Sequence, residues 1–131
     1  MRPEALPRLA AEALRADGMR PGDTLYVVDQ DPMIYLLTGA RIPTRYAFTQ
    51  HLMCPFTLPD RSQEAEIRRI MEEERPRFVV VDSNRQWMLC ERDRPANMAL
   101  VDSYLARDYG SVTGVDAGRE SVDIFRRKEP P

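Results

Sequence analysis

The chain has 131 residues, 43% of them apolar and 31% charged, with 19 basic against 21 acidic side chains and a net charge of −2. That length is one domain able to bury a core without staples, and the composition excludes a disordered chain. The charge balance excludes the basic footprint of a nucleic-acid binder, and no apolar run approaches the roughly 20 residues of a membrane helix.

In chain order, residues 4–17 carry Leu6, Leu9, Ala10, Ala13 and Leu14. This 3.6-residue spacing predicts an amphipathic helix. Gly18 stops it and Pro21-Gly22-Asp23 makes a turn. Residues 24–29 are apolar nearly throughout, as in a strand covered on both faces. Asp31 is placed to cap a short helix over 33–37, with Pro32 at its first position and Gly39 at its end. Residues 40–61, punctuated by Pro43, Pro55 and Pro59, form a long loop, and loops of that length in compact domains are often functional.

A helix is expected over 62–74, opened by Ser62 with Glu64 and Glu66 in its first turn and closed by Pro76. Residues 78–82 form a second buried strand. Residues 83–95 are a polar loop holding Trp87, and residues 96–108 a further helix ended by Gly110. Strands over 111–115 and 121–125 flank a turn at 116–119, and Arg126-Arg127-Lys128 is a basic exit. Strands alternating with helices predict an α/β fold, a three-layer α/β/α arrangement around a mostly parallel Rossmann-like sheet, with the C-terminal hairpin as an antiparallel edge.

Asp29-Gln30-Asp31 stands at the exit of the first strand and Asp82 at the exit of the second, where open α/β sheets bind ligands. Two carboxylates so spaced are able to hold a divalent cation, but Asp31 already has work as a helix cap, so capping and solvation are the expected roles and no metal is expected. Arg45 offers a bidentate partner for phosphate or carboxylate, and Tyr46 a flat face for a sugar or an aliphatic chain. Both are equally able to serve inside the domain, as an ion pair and a packed ring. Trp87 is either a sugar platform or membrane-interface anchor, or a cap on the core. Tyr35 falls on the inward helix face with Ile34 and Leu37 and reads as core. His51, the single histidine, has no triad context, and it cannot complete a zinc site with Cys54 and Cys90. Those cysteines are either thiols or a bridge contributing roughly 4 kcal/mol in the chain-entropy model. There is no Gly-x-Gly-x-x-Gly and no Gly-x-x-x-x-Gly-Lys, so no nucleotide cofactor is expected.

Taken together, Pro21-Gly22-Asp23, the run Asp31-Pro32-Met33-Ile34-Tyr35-Leu36-Leu37-Thr38-Gly39, and Pro43-Thr44-Arg45-Tyr46 form an ordered set. Glu66-Ile67, Val79-Val80-Val81-Asp82, Tyr104, Tyr109-Gly110 and Ile124-Phe125-Arg126-Arg127 complete it. Over roughly residues 18–127 this resembles the C-terminal soluble domain of dolichyl-phosphate-mannose:protein mannosyltransferase-like membrane glycosyltransferases. The resemblance implies a single soluble domain, 1–131, cut from a polytopic protein and lying on the extracytoplasmic, periplasmic face of the inner membrane. The parent would transfer a sugar from a polyprenyl-phosphate donor, with its catalytic carboxylate outside this chain. The implied partners are the transmembrane part of the same polypeptide and the donor or acceptor, met by Arg45, Tyr46 and Trp87. Two rivals remain. One is a stand-alone Rossmann-like module binding a small ligand or anion in the loops after Val28 and Val81. The other is an enzyme with a metal cluster at Asp29, Asp31 and Asp82.

Overall fold

The computed structural model describes residues 5–28, 30–44, 63–83 and 94–128. Its elements are α1 (Ala5–Ala16), β1 (Leu25–Val28), α2 (Met33–Thr38), α3 (Gln63–Arg69), β2 (Phe78–Asp82), α4 (Arg94–Asp108), β3 (Tyr109–Ala117) and β4 (Glu120–Arg127). A π-helical turn, Ile70–Glu74, continues α3. No described helix is long and apolar enough to cross a membrane.

The strands form one sheet in the order β1-β2-β4-β3. β1 and β2 run parallel, with Leu25 opposite Phe78 and Val28 opposite Val81. β4 runs antiparallel to both its neighbours, with Val80 opposite Ile124 and Ala117 opposite Glu120. The expectation of a mostly parallel, Rossmann-like three-layer sandwich is therefore wrong: one of three strand pairings is parallel, and the sheet is mixed. The C-terminal hairpin does form the antiparallel edge of the sheet, with β4 against β2 and β3 outermost. The crossover through α4 sets β3 down one place beyond the neighbour of β2. A two-residue turn at Gly118-Arg119 then folds β4 back into the gap. Gly118 has φ +83°, as the first central position of a type II′ hairpin turn requires. Alternating hydrophobicity marks such strands but carries no information on their order in the sheet.

β1 and β2 are buried at every position, because helices cover both faces. On one face Tyr26, Val28, Val79 and Val81 pack with Ile67, Ile70 and Met71, and with Val101, Tyr104 and Leu105 of α4. On the other, Leu25, Val27, Phe78, Val80, Val122 and Ile124 pack with Leu6, Ala10 and Leu14 of α1 and Ile34 and Tyr35 of α2. Leu6 and Leu14 are essentially solvent-free, and each such side chain contributes roughly 2 kcal/mol by burial.

Candidate functional site

β1 is an edge strand, so its outward amides have no strand to bond. Those of Leu25 and Val27 face away from β2, and both are satisfied from the segment that follows β1. The Val27 N–H donates to the Tyr35 hydroxyl at 2.9 Å, and the Leu25 N–H donates to the Arg41 carbonyl at 3.1 Å. Arg41 N–H in turn donates to the Asp23 carbonyl at 2.8 Å. Burial pushes the Tyr35 phenol well above its ordinary range, the Val27 bond opposing only in part.

The run that carries the resemblance is what holds this edge plug. The Asp31 carboxylate accepts the Met33 N–H at 2.9 Å, starting α2 behind Pro32. Thr38 is buried and donates its hydroxyl to the Ile34 carbonyl at 2.8 Å. Gly39, at φ +68°, closes the helix, and a Cβ there would stand 3.2 Å from the Pro21 Cβ. The Gly22 N–H donates to the Gly39 carbonyl at 2.9 Å, so the Pro21-Gly22 turn and the end of α2 lock together. Asp23 holds that turn from its other side, accepting the Arg20 N–H at 2.9 Å and Arg77 Nη1 at 2.7 Å.

Ile34 and Tyr35 turn inward as expected, but Leu37, expected with them, comes round two residues past Tyr35 to the other side, which α2 presents to solvent. Met33, Leu36 and Leu37 are 42%, 74% and 42% exposed, and Ile42 beyond the helix is 39% exposed. Positions i, i+3 and i+4 share a helix face, so the three α2 side chains form one apolar surface. The chain leaving it is anchored. Arg69 Nη2 donates to the Pro43 carbonyl at 2.8 Å, and Thr44 donates its hydroxyl to Glu66 at 2.6 Å. Glu66 and Glu74 both pair with Arg69, at 2.8 and 3.2 Å, and Glu74 also pairs with Arg41 at 2.9 Å. Glu66 raises the affinity of Arg69 for its proton, so the guanidinium stays charged throughout. Residues five apart do not share a face of an α-helix, but i→i+5 bonding brings them into line. The π-turn thus puts Glu66 and Glu74 on one arginine. These groups line a shallow depression of about 580 Å³ with Ile42.

The strand-exit group expected from the sequence comes together only in part. Asp82 is buried at the end of β2 and accepts Gln30 Nε2 at 3.2 Å; Gln30 Oε1 accepts the Asp31 N–H at 3.0 Å. Asp31 is exposed and engaged in capping. Asp29 lies outside the described residues, as do Arg45, Tyr46, His51, Cys54, Trp87 and Cys90. Among the described residues no three carboxylate, thiol or imidazole groups converge as metal ligands. Helices α3 and α4 pack on the same sheet face, and the chain steps from β1 to β2 to β3 in one direction across the sheet. The described strands therefore lack the reversal of connection direction that opens a ligand crevice in doubly wound sheets. The sequence reading missed the Glu66–Arg69–Glu74 cluster. Its signal was present, since Glu66 and Arg69 stand three apart on a helix, but the contribution of Glu74 depends on the π-turn.

No protein-family model, curated protein or solved structure matches this chain.

Proposed function

We propose that this chain is a non-catalytic accessory domain of a membrane glycosyltransferase that draws its sugar from a polyprenyl-phosphate donor. It works on the extracytoplasmic face, with the outer surface of α2 turned toward the transmembrane part of the same polypeptide. The observation that carries the proposal is the apolar face of Met33, Leu36 and Leu37. A leucine three-quarters open on a short helix, flanked by two half-open apolar neighbours, has the chemistry of a contact surface. That face directly precedes the Pro43-Thr44-Arg45-Tyr46 landmark of the family resemblance, and the Arg69 cluster anchors its last described residues. Arg45 and Tyr46 follow that anchor in sequence and are proposed to meet the acceptor side or the membrane part.

The test places a photo-crosslinking amino acid at position 36 of the full-length native protein in its membrane. The expected products join α2 to a transmembrane segment of the same chain, and the same probe at Glu12, exposed on α1, gives none. A native reading frame without apolar helices upstream of Met1 would refute the proposal. So would crosslinks from position 36 no more frequent than from position 12.

A further inference from the structure

At the end of the sheet opposite the strand exits, four elements finish against one another. β4 leaves through Arg127 and Lys128, β3 begins at Tyr109, α4 ends at Arg107 and Asp108, and Arg75 caps the π-turn. Backbone bonds fix their relation: the Lys128 N–H donates to the Asp108 carbonyl at 2.8 Å, and the Arg127 N–H to the Arg77 carbonyl at 2.9 Å. The Tyr109 hydroxyl donates to the Pro76 carbonyl, tying the start of β3 to the chain beyond the π-turn. Between them lies a depression of about 580 Å³ lined by Glu72, Arg75, Arg107, Asp108, Arg127 and Lys128, among others.

Its charges are unevenly committed. Glu72 accepts the Tyr104 hydroxyl. Asp108 is held by Arg107 through two bonds of 3.0 Å, and Arg107 also lies over the Tyr104 ring at 5.1 Å. Arg75, Arg127 and Lys128 make no ion pair with a described residue. The depression therefore has four cations against two carboxylates, both of them already engaged. Arg107 holds the Asp108 carboxyl below the usual carboxylate range, and Arg75 and Lys128 stand near enough to add to that effect. Arg75 is also the one described non-glycine residue with positive φ, at +49°. Glycine is the usual occupant of this conformation, so a side chain held there is strained.

We propose that this rim binds a phosphate-type dianion, held by Arg75, Arg127 and Lys128. A phosphomonoester carries about two negative charges near neutral pH, which matches the excess of two cations. Guanidinium groups grip its oxygens in bidentate fashion while the lysine adds a compact charge. The depression is wider than a lone phosphate, which leaves room for an attached group. Soluble phosphomonoesters and the phosphomonoester headgroup of phosphatidic acid share this chemistry. The site shares no residue with the α2 face and does not rest on the accessory role proposed above.

The test is an NMR titration of the full chain with inorganic phosphate and with glycerol 3-phosphate, using sodium chloride of matched ionic strength as reference. A parallel arm sediments the chain with phosphatidylcholine vesicles, with and without phosphatidic acid. Saturable shifts centred on Arg75, Asp108, Tyr109 and Lys128 identify a free phosphate compound as the source. Sedimentation that needs phosphatidic acid, without saturable shifts, identifies the headgroup. In either case the double variant Arg127→Gln/Lys128→Gln is expected to weaken binding about tenfold or more, whereas Arg8→Gln on α1 leaves it unchanged. Arg75→Gly separates charge from folding, because it removes the cation where glycine suits the backbone. It should weaken binding with the melting temperature held or raised. Shifts that chloride reproduces overturn the proposal, and so does affinity equal in the wild type and the double variant, or binding in neither arm.

Discussion

Tyr35 shows how one side chain decides whether a sheet edge is sealed. Its phenol oxygen takes the place of a missing strand for Val27. Removing a partner from a buried donor costs about 1–3 kcal/mol, more than the bond itself contributes net. Tyr35→Phe is accordingly expected to lower stability by about 2 kcal/mol in urea unfolding, with faster hydrogen exchange at the Val27 amide than at its inward neighbour Tyr26. Unchanged exchange at Val27 would show that another group seals the edge. The same burial sets an alkaline limit. With Tyr35 and Tyr109 raised in the folded state by desolvation, the unfolded chain loses these protons first. Their contribution to stability is complete below about pH 10 and falls above it, by up to about 1.4 kcal/mol per pH unit for each phenol. A stability profile measured from pH 8 to 11 should bend downward near 10, and less steeply in Tyr35→Phe. Much of this residue's place was legible from its spacing with Ile34. Its hydroxyl bond was not, because periodicity says which way a ring points and nothing of what its polar tip meets.

At the scale of elements, the boundaries of α1, α2 and β2 follow closely from spacing, the Asp31-Pro32 start and the Gly18 and Gly39 stops. The terminators are legible because their physics is local: a left-handed dihedral or a missing N–H acts within a few residues. Gly39 adds a long-range part, its approach to Pro21. Gly39→Ala combines the left-handed penalty with that crowding, so it should cost about 1–2 kcal/mol. Circular-dichroism melts of the two proteins measure the difference, and no loss would show that the Pro21-Gly22 turn moves aside freely. The π-turn was not legible. Residues 62–74 read as one α-helix, because the acidic and apolar positions fit that spacing over most of the segment. What distinguishes Ile70–Glu74 is the meeting of Glu74 with Arg69 and Arg41, and neither contact leaves a mark in local sequence. The candidate surface was half legible: the family-like run pointed to this region, yet most of its residues build the edge plug, and only the outward side chains of α2 are left to meet a partner.

For the whole molecule, the class of elements was readable and their arrangement was not. Two strands apolar on both sides imply helices on both faces, as found, but the insertion of β4 between β2 and β3 depends on where α4 sets down β3. α1 belongs to this level too. It supplies Leu6, Ala10 and Leu14 to one face of the sheet, and Asp17 just past its end pairs with Arg126 at 2.7 Å. A chain started at Gly18 would bare Leu25, Val27, Val80 and Ile124. Size-exclusion chromatography should find it aggregated or dye-binding where the full chain is monodisperse, and a monodisperse, cooperatively melting fragment would show α1 to be dispensable. The plug over β1 has one further effect. A sheet can lengthen only where a strand still offers a row of amides and carbonyls. Here one flank is closed off by the molecule's own hydroxyl and carbonyl, and the strand order leaves β3 as the other flank. Among the described strands β3 is then the one open side, and copies that joined side by side through it would use it up at the first encounter. Such an association halts at a twofold pair instead of running on into a filament.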